Sequence, residues 1–242
     1  MSYLFNIILK FIDFFYQKKI ITFFKKKSNL EYNVIIDVGA HKGETILNFL
    51  KNFKIKNIYS FEASSKTYKY LDINVKKIRK KYNKTNIEIF NTGVGNSSEQ
   101  KIFNELPDSN SSTFNLIDQD SSYFKRKNRI LSFFFKKNFY ITKNFVSQIK
   151  LSEFIEKKDI KNIDILKIDT EGYEFEVLKG LGKDIQLVKF IYFEHHYDNM
   201  IKKNYKFSEI HDLLSTHGFK KLFKIKMPLR KSYDYIYSKK TV

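Results

Sequence analysis

Two groups of residues in this 242-residue chain have the types and spacing to do chemistry. The first is Asp37-Val38-Gly39-Ala40-His41-Lys42-Gly43, followed by Thr45 and by Glu62. Its D-x-G-x-x-x-G spacing differs from the G-x-G-x-x-G that brings backbone against a pyrophosphate. Gly39 suits a sharp turn, and Gly43 would let a ligand lie close to the chain. A helix starting there would aim unpaired N–H groups and the positive end of its dipole into the same crevice. Glu62, about 20 residues past the loop, is placed to accept from both hydroxyls of a ribose. The second group is Asp169, Glu171, Glu194, His195 and His196. Carboxylates and imidazoles together can take a proton from an acceptor or bind a divalent metal. Each also has a plainer reading. Asp169 could cap the turn that follows it, Glu194 could pair with a lysine, and the histidines could lie on the surface.

These residues need elements to position them. Val34–Val38 is mostly β-branched and reads as a buried strand. Thr45–Phe53 fits a helix, Asn57–Phe61 a second strand ending at Glu62, and Tyr68–Tyr82 a lysine-rich helix with Leu71, Val75 and Ile78 on one face. Ile87–Phe90 is a third strand, running into Gly93 and Val94. Strand, helix, strand, helix, strand predicts a doubly wound α/β sheet. Gln100–Asn104 fits an extra strand, Asp108–Ser122 a loop, and Val146–Ile149 a short edge strand. The basic, aromatic stretch 121–145 reads either as a substrate lid or as a flexible insertion. Leu151–Lys157 is helical, and Ile163–Asp169 is a fourth main strand with the charged Lys167 inside it, which needs an acid partner. Glu174–Leu181 is a helix, and Leu187–Phe193 a fifth strand that ends before Glu194-His195-His196. Phe207–His217 is a helix stopped by Gly218. Phe219–Met227 and Tyr233–Ser238 close the fold as an antiparallel hairpin turning at Pro228. If strands one, four and five are neighbours, both groups share the crevice at the carboxyl ends of the strands.

The length suits one sizeable α/β domain, residues 31–242, preceded by an extension over residues 1–30. Within 2–24 the polar residues Asn6, Lys10, Asp13 and Gln17 recur at helical spacing between Leu, Ile, Phe and Tyr. The run is too interrupted to span a membrane comfortably. It reads as an amphipathic helix, lying in a membrane surface or docked on the domain or on a second copy of it, as in a homodimer. No secretory leader is evident, so the expected location is cytoplasmic, including the inner face of the membrane. The formal charge is +19, which ordinarily suggests nucleic acid or another anionic partner. The chain is crowded with residues of A/T-rich codons, however, and only Arg79, Arg126, Arg129 and Arg230 are arginines. Arginine is preferred for specific phosphate and base contacts, so composition explains the charge better than nucleic-acid binding does. Absence of cysteine excludes disulfides, thiolate zinc and a cysteine nucleophile.

Several stretches are similar to a known family. Val34–Gly43, Ser60-Phe61-Glu62, Leu178-Lys179-Gly180 and Ile191–Glu194 resemble the FkbM-type methyltransferases that use S-adenosylmethionine (SAM). Most specific is Ile163–Glu174, reading I-D-I-L-K-I-D-T-E-G-Y-E. The resemblance implies a Rossmann-like class I methyltransferase fold, SAM as cofactor, no metal, and O-methylation of a sugar, glycan or small-molecule hydroxyl. It places Asp37, Gly39, Ala40, His41, Gly43, Thr45, Glu62, Ala63, Gly93, Val94 and Asp169 around the cofactor. Asp169, Glu171, Glu194 and His195 then become the catalytic candidates, since methyl transfer to a hydroxyl needs alignment and a proton acceptor. His41 stands where the family often has Asn, and residues 1–30 and 121–144 have no counterpart.

Two rival functions fit parts of the sequence. Base N-methylation uses a D/N-P-P-Y turn, which Pro107 and Pro228 do not supply, and cytosine C5 chemistry needs a cysteine. An RNA 2′-O-methyltransferase built on lysine and acids stays open. A catalytically silent glycan- or membrane-binding domain fits less well with the intact Gly39, Gly43 and Glu62.

Overall fold

A computed structural model describes residues 2–27, 30–107, 111–135, 140–228 and 230–239; within these, the side chains of 2–13, 131 and 133–135 are not considered. The remainder of the expected 1–30 extension, 108–122 loop and 121–145 segment lies outside the described residues, as do the side chains of the expected polar face at Asn6, Lys10 and Asp13.

The chain runs α1 (Ser2–Lys27), β1 (Glu31–Val38), α2 (Glu44–Leu50), β2 (Lys54–Phe61), α3 (Ser65–Lys81), β3 (Asn86–Phe90), β4 (Gly93–Gly95), β5 (Glu99–Glu105) and β6 (Leu116–Ile117). It continues with α4 (Ser122–Phe135), β7 (Thr142–Lys150), α5 (Leu151–Lys157), β8 (Ile163–Ile168), α6 (Glu174–Leu181), β9 (Val188–His196), β10 (Ile201–Lys202), α7 (Phe207–Thr216), β11 (Phe219–Lys226) and β12 (Ser232–Lys239). Seven strands form the main sheet in the order β11-β12-β9-β8-β1-β2-β3. Pairings from β9 through β3 are parallel, and β12 runs antiparallel to both β9 and β11. The expected doubly wound sheet with its closing hairpin is present.

Strands covered on both faces must be apolar almost throughout, and β1, β8 and β9 are. Ile36, Leu166, Ile191 and Phe193 face α5, α6 and α7 in one core. Ile35, Ile165, Phe190 and Ile236 face the other way, towards α2, α3 and α1. Tyr16, Ile20, Ile21 and Phe24 of α1 are buried in this second core. Residues 14–27 are therefore no detachable appendage, because they cover a sheet face that would otherwise be bare. No helix among the described residues is long and apolar enough to cross a membrane.

Three local departures from expectation have simple causes. Val146–Ile149 is part of the longer β7, which lies in the middle of a second sheet, β4-β7-β5, not at an edge. The basic aromatic stretch contains a helix, α4. And β9 extends to His196, because β12 pairs with it up to Ser232↔His196. Glu194, His195 and His196 are thus strand residues with alternating faces.

Candidate active site

The loop after β1 is built by backbone geometry. Gly39 (φ 80°), His41 (φ 49°) and Gly43 (φ 90°) all adopt left-handed conformations. A Cβ on Gly39 would overlap the backbone carbonyl of Asp169 after β8, so this glycine lets β1 and β8 meet closely. A Cβ on Gly43 would lie 3.2 Å from Leu71. Gly43 thus packs closely on α3, and it is not among the residues that line the cavity. Nor are the loop's amides free. Gly39 and Ala40 N–H both donate to Phe61 O at 2.9 Å, Gly43 N–H donates to Ala40 O at 2.9 Å, and Lys42 N–H donates to Glu44 at 3.0 Å. His41 N–H donates to Glu62 Oε2 at 2.8 Å. A pyrophosphate would need those amides; a cationic ligand does not.

Glu62 is fixed from two sides, since Ser64 N–H donates to its Oε1 at 2.9 Å. Burial pushes its carboxyl up to about 7, against the pull of the two amides. It lines a cavity of about 850 Å³ together with Gly39, Ala40, His41, Thr45, Ala63, Gly93 and Val94. The first-group residues expected at a cofactor thus line one cavity, except Gly43 and Asp37. Asp37 is 1% exposed and faces Lys167 instead.

Lys167 answers its own need for partners. Its ammonium lies 3.2 Å from Asp37, 3.3 Å from Asp169 and 3.2 Å from Gly39 O, which matches its three donors. The two carboxylates outweigh burial and raise its pKa, so it stays charged. Burial pushes Asp37 up, opposed by this same ammonium. Asp169 is held low despite burial by Lys167, His196 and Arg230. One buried cation therefore ties the β1 loop to the acid at the end of β8.

Asp169, Thr170, Glu171, Glu194 and Arg230 line the same cavity. The turn carrying the first three is locked by Glu174. Its carboxylate accepts from Thr170 N–H (3.3 Å), Thr170 Oγ1 (3.1 Å), Gly172 N–H (2.8 Å) and Tyr205 Oη (2.6 Å). His196 Nε2 stands 3.1 Å from Glu171 and 3.3 Å from Glu194. Burial pulls His196 down, but the two carboxylates win and raise it to about 10. Glu171 is pushed up to about 8 by burial, against His196 and with Glu194. Asp234 of β12, paired with Glu194 of β9, is pushed up to about 8 by burial and by Glu194. Tyr192 donates to it at 2.8 Å.

His195 does not belong here. Alternation along β9 turns it to the other face, where its ring packs against Tyr197, Tyr205 and Phe207, with centroids 4.8, 5.8 and 5.4 Å away. Burial, Lys203 and His196 lower it to about 3, so the ring is neutral. The expectation of a base at His195 is corrected: the imidazole near the acids is that of His196. A period-two reading of β9 carried that signal. Other cavity residues gave none in the sequence. Tyr16 and Gln17 come from α1, Arg126, Lys127 and Ile130 from α4, and Arg230 from the β11–β12 turn.

A fold with a bent loop after β1, an acid closing β2 and a D-x-E-G turn after β8 can be compared with known proteins. The methyltransferase FkbM domain pattern matches residues 37–221. The chain belongs to the FkbM methyltransferase family. Its fold is the class I methyltransferase fold. Among solved structures, methyltransferase FkbM from Methylobacillus flagellatus KT superposes with a TM-score of 0.52 at 13% identity, covering 84% of this chain and 43% of that one. The chain thus spans less than half the length of that protein. Magnesium protoporphyrin IX methyltransferase from Synechocystis PCC 6803 with bound SAM gives 0.54 at 8% identity, covering 96% and 81%. At such identities the likeness is one of fold. No curated protein matches the chain.

Proposed function

We propose that this methyltransferase transfers the methyl group of SAM to a hydroxyl of a sugar, glycan or small molecule. The observation that carries the reading is a single cavity lined both by the fixed carboxylate of Glu62 and by Asp169, Glu171 and Glu194. SAM fits across it with its ribose hydroxyls donating to Glu62, its adenine near Ala63 and Val94, and its methionine end towards Asp169. The loop amides are already paired, which suits a ligand without phosphate.

The acceptor hydroxyl then lies against Glu171 and Glu194. Its oxygen attacks the methyl carbon in line, the C–S bond breaks with its electron pair to sulfur, and the O–H proton passes to Glu171. A carboxyl whose pKa is raised by burial is a better base than an exposed one. The leaving thioether is neutral and needs no stabilisation. His196, Arg230 and Glu174 hold the acids in place.

The test is a screen with SAM labelled in its methyl group against sugars, nucleotide sugars, glycan extracts and RNA. A base-stable methyl ether on a sugar or small molecule supports the reading. Label carried into RNA ribose or onto nitrogen contradicts it.

A further inference from the structure

We infer that Glu171, Glu194 and His196 bind a divalent metal ion at the cavity wall. The three side chains offer one ligand atom each, all within 4.8 Å of one another, and all three residues are buried. The closer distances are the informative ones. His196 Nε2 lies 3.1 Å from Glu171 Oε2 and 3.3 Å from Glu194 Oε1. Ligands about 2.1 Å from one ion, at octahedral to tetrahedral angles, stand about 3.0 to 3.4 Å apart. Modest adjustment would therefore seat an ion among the three.

Independent features point the same way. Glu194 Oε1 and His196 Nε2 are fully buried, and beyond the ion-pair contacts among these three side chains neither has a hydrogen-bond partner among the described residues. Both residues are more than nine-tenths buried, at 3% and 5% exposure. Behind the ring, Asp198 Oδ2 lies 3.4 Å from His196 Nδ1, while Asp198 Oδ1 is fixed by the Met200 amide at 3.0 Å. A carboxylate behind a histidine orients the opposite nitrogen as a ligand and makes it more basic. Charge also favours a cation. Six acids, Asp37, Asp169, Glu171, Glu194, Asp198 and Asp234, outnumber the lysine and arginine cations that face them, Lys167, Lys203 and Arg230. Two carboxylates and one imidazole form a mixed oxygen–nitrogen set that suits Mn²⁺, with Mg²⁺ and Zn²⁺ as competitors.

Glu171 and Glu194 line the cavity, so the remaining positions of the ion face the acceptor. An acceptor hydroxyl bound there would be acidified. Its proton would pass to the free oxygen of Glu171 and the methyl carbon would take its place on oxygen. This role rests on the hydroxyl reading above; the ion site itself rests on ligand geometry.

The test begins with the full chain stripped of metal and titrated with Mn²⁺, free Mn²⁺ being followed by electron paramagnetic resonance without any acceptor. One equivalent should bind, with nitrogen hyperfine coupling from one imidazole. Glu194→Gln and His196→Gln should each weaken binding at least tenfold. Asp198→Asn, which leaves all three ligands in place, should weaken it about 10- to 100-fold. Circular dichroism and SAM affinity serve as checks of folding. Should the His196 variant not fold, the hyperfine coupling in the unaltered protein decides. Absence of Mn²⁺, Mg²⁺ and Zn²⁺ binding below about 1 mM, binding without nitrogen coupling, or binding indifferent to the Glu194 variant would each overturn the site. Methyl-ether formation that survives exhaustive chelation would remove the ion from the reaction while leaving hydroxyl methylation intact.

Discussion

Two parts of the cavity wall, Glu62 with its amides and the acids after β8 and in β9, are built on different physical plans. The Glu62 part is local and made of backbone: Gly39 and Ala40 hang on Phe61 O, and Glu62 is clamped by the amides of His41 and Ser64. The acid part is assembled from β8, β9, the turn before β12 and, through Tyr16, α1, and it is held by side-chain charges. Backbone clamps fix a carboxylate with little dependence on distant packing. Buried charges fix one another only while the whole wall stands, and removing one leaves another uncompensated. The first plan suits a cofactor shared by many enzymes, and the second suits a reaction whose acceptor differs from one enzyme to the next.

The comparison breaks most visibly if α1 is removed. Deleting residues 1–27 would expose the sheet face now covered by Tyr16, Ile20, Ile21 and Phe24. At about 1.5–3 kcal/mol for each large apolar side chain, the loss approaches the whole stability of an ordinary domain, about 5–15 kcal/mol. The truncated chain should be unfolded or aggregated by circular dichroism. A cooperative melt with normal SAM binding would show that the second core does not need this helix.

Glu171→Gln tests the acid part alone. It should lower turnover about 10²–10⁴-fold on an acceptor found by the labelling screen and leave SAM affinity nearly unchanged. Equal losses in both would mean that the two parts are not separate.

For the Glu62 part the effect is one of pH. Burial pushes Glu62 up to about 7, so below that pH it gains a proton and can no longer accept from both ribose hydroxyls. SAM affinity should fall by about tenfold per unit as pH drops from 7 towards 5. Stability of the ligand-free protein runs the opposite way. A folded pKa above the unfolded one gives a contribution that is complete below about pH 4.5 and lost as pH rises through about 7. Affinity that is flat across this range would mean that Glu62 does not meet the cofactor as a carboxylate.

The smallest effect belongs to His195. His195→Phe keeps the aromatic packing with Tyr205 and Phe207 and should change turnover less than about threefold. A loss above 100-fold, beyond the lower range for a general base, would return His195 to the chemistry.

How much was legible follows from the same contrast. Gly39, Glu62 and Asp169 could be read because each sits at a fixed offset from a strand end, and the apolar runs of β1, β2 and β8 announce those ends. Lys167 declared its need for acids by being charged inside such a run. The pairing of the loop amides is not legible because paired and free N–H groups look alike in sequence. His195 was misread because β9 was expected to stop at Phe193, and its true length depends on pairing with β12, a contact between distant segments. Arg230, Tyr16 and Arg126 left no trace, since nothing local says that a turn, a terminal helix and an inserted helix will face one cavity.

The measurement closest to the central claim is calorimetric titration of SAM into the unaltered protein, Glu62→Ala and Glu194→Gln under one set of conditions. The account predicts that Glu62→Ala weakens SAM by about 100-fold, the loss of a charge-assisted pair of hydrogen bonds worth about 3 kcal/mol. It predicts that Glu194→Gln, in the acid part, stays within about threefold. Unchanged affinity in Glu62→Ala, or an equal loss in Glu194→Gln, would contradict the assignment of cofactor and acceptor to separate parts of the cavity wall.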